Sequence, residues 1–97
     1  MIKIEFLQIF RVGEDGIYFD DGKIEFSQLE NRNGYHGEEI LSGGEFVLRF
    51  YASEDVKIVF PFYRFGEGES AIKSARAKCG SLALFLAERG VVVKRLN

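Results

Sequence analysis

Residues 70–90 read SAIKSARAKCGSLALFLAERG, and this stretch decides the fold. Its apolar and small residues recur at helical spacing, which predicts a long helix with one side turned to the core. The residues on that side are Ile72, Ala75, Cys79, Leu82, Ala83 and Leu86. Ser70 is a favourable N-cap residue and Gly90 suits the position that follows a helix, so we expect the helix to begin and end at these two residues.

A second side of the predicted helix carries only small or apolar residues. They are Ala77, Gly80, Leu84 and Ala87. A helix that lies on one sheet needs a single buried side, and a glycine in mid-helix costs about 1 kcal/mol relative to alanine. Close approach of another backbone would offset that cost, so we expect these four residues to form the interface of a homodimer. The alternative is a curved sheet that covers both sides of the helix within one chain.

Length and composition limit what the chain can be. Its 97 residues make one domain, 1–97, in which burial is limited unless a metal, disulfides or oligomerisation add stability. One cysteine and one histidine exclude an internal disulfide and a structural zinc site within one chain, which leaves oligomerisation. The net charge of −2 and the pI of about 5.4 create no overall field that attracts nucleic acid or anionic lipid.

The apolar residues also bear on location. No apolar run is long enough to span a bilayer, and the first residues, MIKIEF, alternate instead of forming the apolar block of a signal peptide. We therefore expect a cytoplasmic protein without a membrane span.

The first half of the chain predicts one hairpin and one long loop. Asp21-Gly22 is a favoured two-residue turn, because a type I′ turn needs positive φ at both central residues. Ser27–Gly44 is rich in glycine and asparagine and poor in apolar residues. We expect it to be a functional or mobile loop, with a short strand or turn at Glu38–Leu41. His36, the one histidine of the chain, lies in this segment.

Two long strands are predicted before the helix. Apolar residues alternate along Glu45–Ala52 and again along residues 56–62, which predicts a hairpin with one face on the core. Pro61 cannot donate to a ladder, so it belongs on an edge strand or at a strand end. Residues 91–96 predict a short strand after the helix. The fold class is therefore α+β: an antiparallel, twisted sheet or partly open β-barrel packed on one long C-terminal helix.

The opposite face of this hairpin mixes cationic and aromatic residues. Arg49 and Tyr51 would lie on it from one strand, and Lys57 and Tyr63 from the next. Aromatic and basic residues that alternate on a sheet can stack on and clamp single-stranded nucleic acid. The alternative is an ordinary solvated face with cross-strand pairs, which the acidic composition favours.

No motif combines the groups that catalysis or cofactor binding requires. Residues 66–70 lie between a strand and a helix, where phosphate loops occur, but they carry two glutamates and lack the lysine of a P-loop. Ser70 and Lys73 have the spacing of a serine nucleophile and its base, without the other elements of the penicillin-recognising families. The acids between Glu14 and Asp21 lack the ligand spacing of a calcium loop. We expect no enzyme activity, no metal and no cofactor.

Residues 16–30, GIYFDDGKIEFSQLE, resemble a stretch common in bacterial pleckstrin-homology-like domains. In those domains a Gly-Ile pair opens one strand, and an aromatic-Ser-x-aliphatic segment closes the next. The later hairpin and the helix occupy the places of the last strands and the capping helix of that fold. The resemblance implies a partly open barrel closed by one helix, used as an interaction or assembly module, and it carries no ligand residues.

A second resemblance concerns topology. Four strands followed by a helix are similar to the dimeric single-stranded-DNA-binding proteins related to a transcriptional coactivator, which pair through their helices. Taken together, the sequence predicts a non-enzymatic interaction or assembly module that forms a homodimer, with a protein partner as a further expectation. The alternative is a single-stranded nucleic-acid-binding protein that uses the basic and aromatic sheet face.

Overall fold

The computed structural model describes residues 2–5, 10–19, 22–31, 34–35, 37–51 and 55–95. The strands in this part of the chain are β1 Ile2–Glu5, β2 Arg11–Val12, β3 Gly16–Phe19, β4 Gly22–Glu25, β5 Glu30–Asn31, β6 Gly34–Tyr35, β7 Gly37–Ser42, β8 Glu45–Tyr51, β9 Asp55–Pro61 and β10 Val93–Arg95. One α-helix, α1, spans Gly68–Ala87, and two short 3₁₀ helices span Phe26–Leu29 and Phe62–Arg64. Among the helices of these residues, none has the length and apolar character needed to cross a membrane.

Five strands form the main sheet, in the order β1-β9-β8-β7-β10. The three central strands pair antiparallel through two hairpins. The alternating pattern predicts the hairpin between β8 and β9, whereas the one between β7 and β8 was not predicted. Each outer strand pairs in parallel, β1 with β9 and β10 with β7. The sheet is therefore mixed. The sequence did not indicate these parallel pairs, because neither outer strand is joined by a turn to the strand beside it.

One face of the main sheet packs against α1. The alternate residues of β8 and β9 on this face are buried, as predicted: Phe46, Leu48, Phe50, Val56, Ile58 and Phe60. The helix contributes Ala71, Ala75, Cys79, Leu82 and Leu86. The predicted fold class, α+β with one long C-terminal helix and a short strand after it, is confirmed. The sheets of the described residues are not closed into a barrel.

The start of α1 differs from the prediction. The helix begins at Gly68 with Glu67 as its N-cap, so Ser70 is not the N-cap but lies in the first turn, where its Oγ donates to the Glu67 carbonyl oxygen at 3.0 Å. Ile72, predicted to face the core, is 39% exposed. In this turn Ala71 is buried in its place, because the side of the helix that faces the sheet is centred on the positions of Ala71 and Ala75.

The regular helix ends at Ala87, and Gly90 terminates the turn that follows it, as its position in the sequence predicts. Gly90 has a φ of +84°, the left-handed conformation that glycine adopts without steric cost. Its N–H donates to the Ala87 carbonyl at 3.0 Å, and the N–H of Val91 donates to the Leu86 carbonyl at 2.9 Å. This is the Schellman pattern, in which the residue after the glycine returns to the core. Val91 is fully buried, so the turn directs the chain back towards β10.

A second, antiparallel sheet contains β2, β3 and β4. Ile17 of β3 and Ile24 of β4 lie opposite each other and are buried in the core. The predicted hairpin is present, but Phe19 pairs with Gly22, so the connection consists of residues 20–21 and starts one position earlier than predicted. Those two residues lie outside the described part of the chain.

The prediction of a loop over Ser27–Gly44 is wrong. This segment contains most of a 3₁₀ helix, the short pair β5–β6 and the six-residue strand β7, which includes the short strand expected at Glu38–Leu41. The full length of the strand was not recognised because two of its core-facing positions hold Gly37 and Glu39 instead of large apolar residues. A Cβ atom at Gly37 would lie 2.5 Å from Cε1 of Phe50, so the ring of that residue requires the glycine.

Pro61 is the last residue of β9 and pairs with Glu45 of β8. The strand lies between β1 and β8, so of the two predicted positions, an edge strand or a strand end, the proline occupies the strand end. Within the described residues, the pairing of β9 with β1 reaches Val59, two residues before the proline.

Candidate interaction surfaces

The helix stripe, which consists of Ala77, Gly80, Leu84 and Ala87, faces away from the sheet. Leu84 is 62% exposed, and both alanines are exposed. A Cβ atom built at Gly80 would meet no heavy atom of the described residues within 4 Å. Within the described part of the chain nothing covers this stripe, so the alternative of a sheet that wraps both sides of the helix is wrong.

Charged residues extend the helix stripe at both ends. Lys73 precedes Ala77 by four positions, and Glu88 follows Leu84 by four, so both lie along the same side of the helix. Arg76 lies beside the stripe, with its guanidinium carbon 5.4 Å from the centre of the Phe46 ring. The stripe is therefore small and apolar in its middle, with a cation towards one end and an anion at the other.

The outer sheet face, opposite to α1, brings together three of the four residues predicted to contact nucleic acid. Arg49 and Lys57 are directly paired on β8 and β9, and Tyr51 follows on the same face. Tyr63 does not join them. It lies in the 3₁₀ helix after β9, exposed, with the Arg64 guanidinium 5.4 Å from its ring centre.

The arginine of the outer sheet face is engaged within the chain. Its Nη2 lies 3.1 Å from Oδ2 of Asp55, and its guanidinium carbon lies 4.8 Å from the centre of the Tyr51 ring. Nε of Arg49 is buried and has no hydrogen-bond partner among the described residues. A hydrogen bond with Glu38 and burial raise the pKa of the Tyr51 hydroxyl. Arg49 and Tyr51 are therefore held in place by two acids of the same face.

The main-sheet register places a row of charges across the outer sheet face. The row reads Lys94, Glu38, Arg49, Lys57 and Lys3 from one edge of the sheet to the other. Sequence reasoning missed Lys94, Glu38 and Lys3, because it recognised the hairpin of β8 and β9 but not the pairing of the strands that extend the sheet on either side of it. Beside the row, Val47 and Val59 point to the same side and are buried. The outer sheet face therefore combines a row of charged residues with a neighbouring pair of buried valines.

A polar cluster connects β7, α1 and β10 at the edge of the core. The buried side chain of Glu39 accepts a hydrogen bond from the Cys79 thiol at 3.5 Å and one from Nε of Arg95 at 2.7 Å. Burial and the adjacent Glu39 carboxylate raise the pKa of the Cys79 thiol far above its usual range. The predicted burial of Cys79 is confirmed, and an uncharged thiol in this position favours a structural role.

The other residues considered from the sequence occupy ordinary positions. Asp15 accepts hydrogen bonds from the Tyr18 hydroxyl at 2.8 Å and from Nζ of Lys23 at 2.7 Å, which fixes the turn before β3. Ser70 and Lys73 are both exposed. No group of three or more histidine, cysteine, aspartate or glutamate side chains within the described ranges is placed to hold a metal ion. His36 lies outside those ranges.

Comparison with protein-family models, with curated proteins and with solved structures finds no match to this chain.

Proposed function

We propose that this chain is a non-enzymatic interaction module of the cytoplasm that forms a homodimer through the helix stripe. The observation that carries the proposal is Gly80. Its missing side chain leaves open space, so no packing within the described chain accounts for a glycine that costs about 1 kcal/mol in mid-helix. Leu84, one turn later, exposes most of its side chain to solvent. A second helix laid on the stripe would make use of both features.

The positions in the stripe are self-complementary. In an antiparallel pair of helices that cross near Gly80, Leu84 of each copy lies opposite Ala77 of the other. The same arrangement places Lys73 of one copy beside Glu88 of the other, which adds an exposed ion pair at each end of the contact. Seams of this spacing, with alternating steps of four and three residues, are typical of helices that pair along their length.

The size of the stripe limits the strength of the dimer. A 20-residue helix is about 30 Å long, so a stripe one helix wide offers roughly 300 Å² to a partner. Stable complexes bury about 800 Å² per partner. We therefore expect dimers in concentration-dependent equilibrium with monomers. The resemblance of residues 16–30 to pleckstrin-homology-like domains also supports an interaction module, because those domains serve mostly in that way.

The test is light scattering over a range of protein concentrations. The parent protein should approach twice the chain mass of 11.0 kDa, whereas Leu84→Glu should remain at that mass and stay folded. Val92→Glu is the matched control, because Val92 is 64% exposed, lies outside α1 and should not alter association. A parent protein that is monomeric at every concentration, or a control that dissociates equally, would contradict the proposal.

Single-stranded nucleic acid is a second candidate ligand, through the outer sheet face. The observation that favours it is the contiguous set Lys3, Lys57 and Arg49 on three neighbouring strands beside Tyr51. Binding of a labelled oligothymidylate that weakens with salt, and that Lys57→Glu removes, would support this function. Binding that Lys57→Glu leaves unchanged would contradict it.

A further inference from the structure

A groove runs along a third side of α1, between the side that faces the sheet and the helix stripe. It contains two hollows of about 360 Å³ and 340 Å³. The first is lined by Phe65, Ser74, Ala77, Lys78 and Ser81. The second is lined by Phe10, Arg11, Val12, Phe85, Glu88 and Arg89. The helix forms one wall of both. The other wall is Phe65 in the first hollow and Phe10 with strand β2 in the second.

One contact between the hollows and the spacing of two helix residues show that the hollows are parts of one groove. Nζ of Lys78, which lines the first hollow, lies 5.5 Å from the ring centre of Phe10, which lines the second. On the helix wall, Ser81 and Phe85 are one turn apart, so they lie on the same side. The side chains of the wall thus run without interruption from one hollow to the other.

The far wall of the second hollow is fixed to the helix. Nε of Arg89 donates to the Gly13 carbonyl at 2.9 Å, and its Nη1 donates to the Phe85 carbonyl at 3.1 Å. Nη2 of Arg89 reaches the Val12 carbonyl at 3.4 Å. One side chain therefore holds the strand β2 against the end of α1, and the hollow is formed in the chain before any partner binds.

The lining combines exposed apolar surface with positive charge. Phe85 is 42% exposed. Around it stand three cations, Lys78, Arg11 and Arg89, and one acid, Glu88. A second copy of α1 is a poor occupant, because that helix carries three cations and one glutamate, so like charges would meet. Charge complementarity favours an acidic partner with large apolar side chains.

We propose that this groove binds an extended acidic peptide segment of another protein, with two bulky apolar side chains four residues apart. The hollows are centred about ten helix residues apart, which corresponds to about 15 Å. In an extended chain, residues i and i+4 point to the same side and are separated by about 13 Å. One apolar side chain fills each hollow, and the carboxylates between and beside them meet Lys78 and Arg11.

This site goes beyond the proposed dimer and shares two lining residues with it, Ala77 of the helix stripe and Glu88 at the end of that stripe. The two hypotheses are separable, because dimerisation is read from the particle mass and groove binding from the motion of a labelled peptide. A chain that binds the peptide but is monomeric at every concentration would support the groove and contradict the dimer. A chain that dimerises but does not bind the peptide would contradict the groove alone.

The experiment uses the full chain and a fluorescein-labelled peptide of sequence Asp-Leu-Glu-Asp-Glu-Phe-Asp, titrated by fluorescence anisotropy. Saturable binding that weakens as salt is raised is the expected result. The control peptide has lysine in place of each acid and should not bind. Equal binding of the two peptides, or no saturable binding of the acidic one, would overturn the proposal.

Two variants of similar exposure locate the binding. Phe85→Glu should weaken the acidic peptide at least about tenfold, because it removes the apolar surface of one hollow and adds a like charge. Ile72→Glu is the matched control, since Ile72 is 39% exposed and lies on another side of α1, and it should bind as the parent does. Circular dichroism verifies that both variants are folded. Equal loss in both variants, or displacement of the peptide by an equally charged oligonucleotide, would overturn the assignment.

Discussion

Replacing Gly80 with alanine separates the stability of the single chain from its self-association. The new methyl group would meet no described atom within 4 Å, so it causes no clash in the monomer. Alanine is a better helix former by about 1 kcal/mol, and a domain of this size gains about 4–8 °C in Tm for that free energy. In a dimer that packs on the helix stripe, the same methyl group separates the two helices and weakens association.

The assay is thermal unfolding followed by circular dichroism, with light scattering on the same samples. At concentrations where the parent is monomeric, Gly80→Ala should raise Tm, while at higher concentrations it should dissociate more readily than the parent. Ala77→Gly is the reciprocal control and should lower the Tm of the monomer by a similar amount, because Ala77 is also exposed on α1. A lower Tm for monomeric Gly80→Ala would show that some part of the chain covers this glycine, and the reasoning would fail.

Three other predictions concern the buried Cys79 and Glu39 and the turn that precedes β3. The buried Cys79 thiol should react with a thiol reagent only after unfolding, and fast labelling of the native chain would contradict its position in the core. Arg95→Gln should lower the free energy of unfolding, measured by urea titration, by about 1–2 kcal/mol, because it leaves the buried Glu39 carboxylate with a weaker donor. An unchanged urea midpoint would show that the ion pair of Arg95 and Glu39 contributes nothing to stability. Hydrogen bonds from Lys23 and then Tyr18 hold the pKa of Asp15 below its usual value, so the ionised carboxylate stabilises the fold at neutral pH. That contribution is lost as the pH falls from about 4 through the lowered pKa, and Asp15→Asn should therefore be less stable than the parent at pH 7 but equally stable once the pH is below the lowered pKa. A difference that persists at the acidic end would refute this account.

The central hairpin and the helix could be predicted because their signals are local. Alternation along β8 and β9 and the helical spacing of the residues from Ala75 to Leu86 both follow from burial on one side of a regular element. The same reasoning identified the helix stripe, whose exposure the structure shows. The sequence predicts which residues form the stripe and that they are small or apolar, but it does not identify the partner that binds there.

The features that were missed depend on distant partners. A glutamate in a strand normally indicates a solvated face, and Glu39 occupies a core-facing position only because Cys79 and Arg95 supply its donors. Those donors lie on α1 and β10, so no window around Glu39 contains them. The groove was missed for the same reason, since Phe10 and Phe85 become neighbours only when Arg89 joins β2 to the helix end.

The parallel pairing of the outer strands has a consequence for the order in which the molecule assembles. β1 and β10 each pair with a strand about 55 residues away along the chain, so closing those loops costs more entropy than forming the hairpins between β7, β8 and β9. We therefore expect the three-stranded meander with α1 docked on it to form first, and the first and last strands to add to it late. In the folded protein the same strands should be the first to open, so their amides should exchange with solvent faster than those of β8.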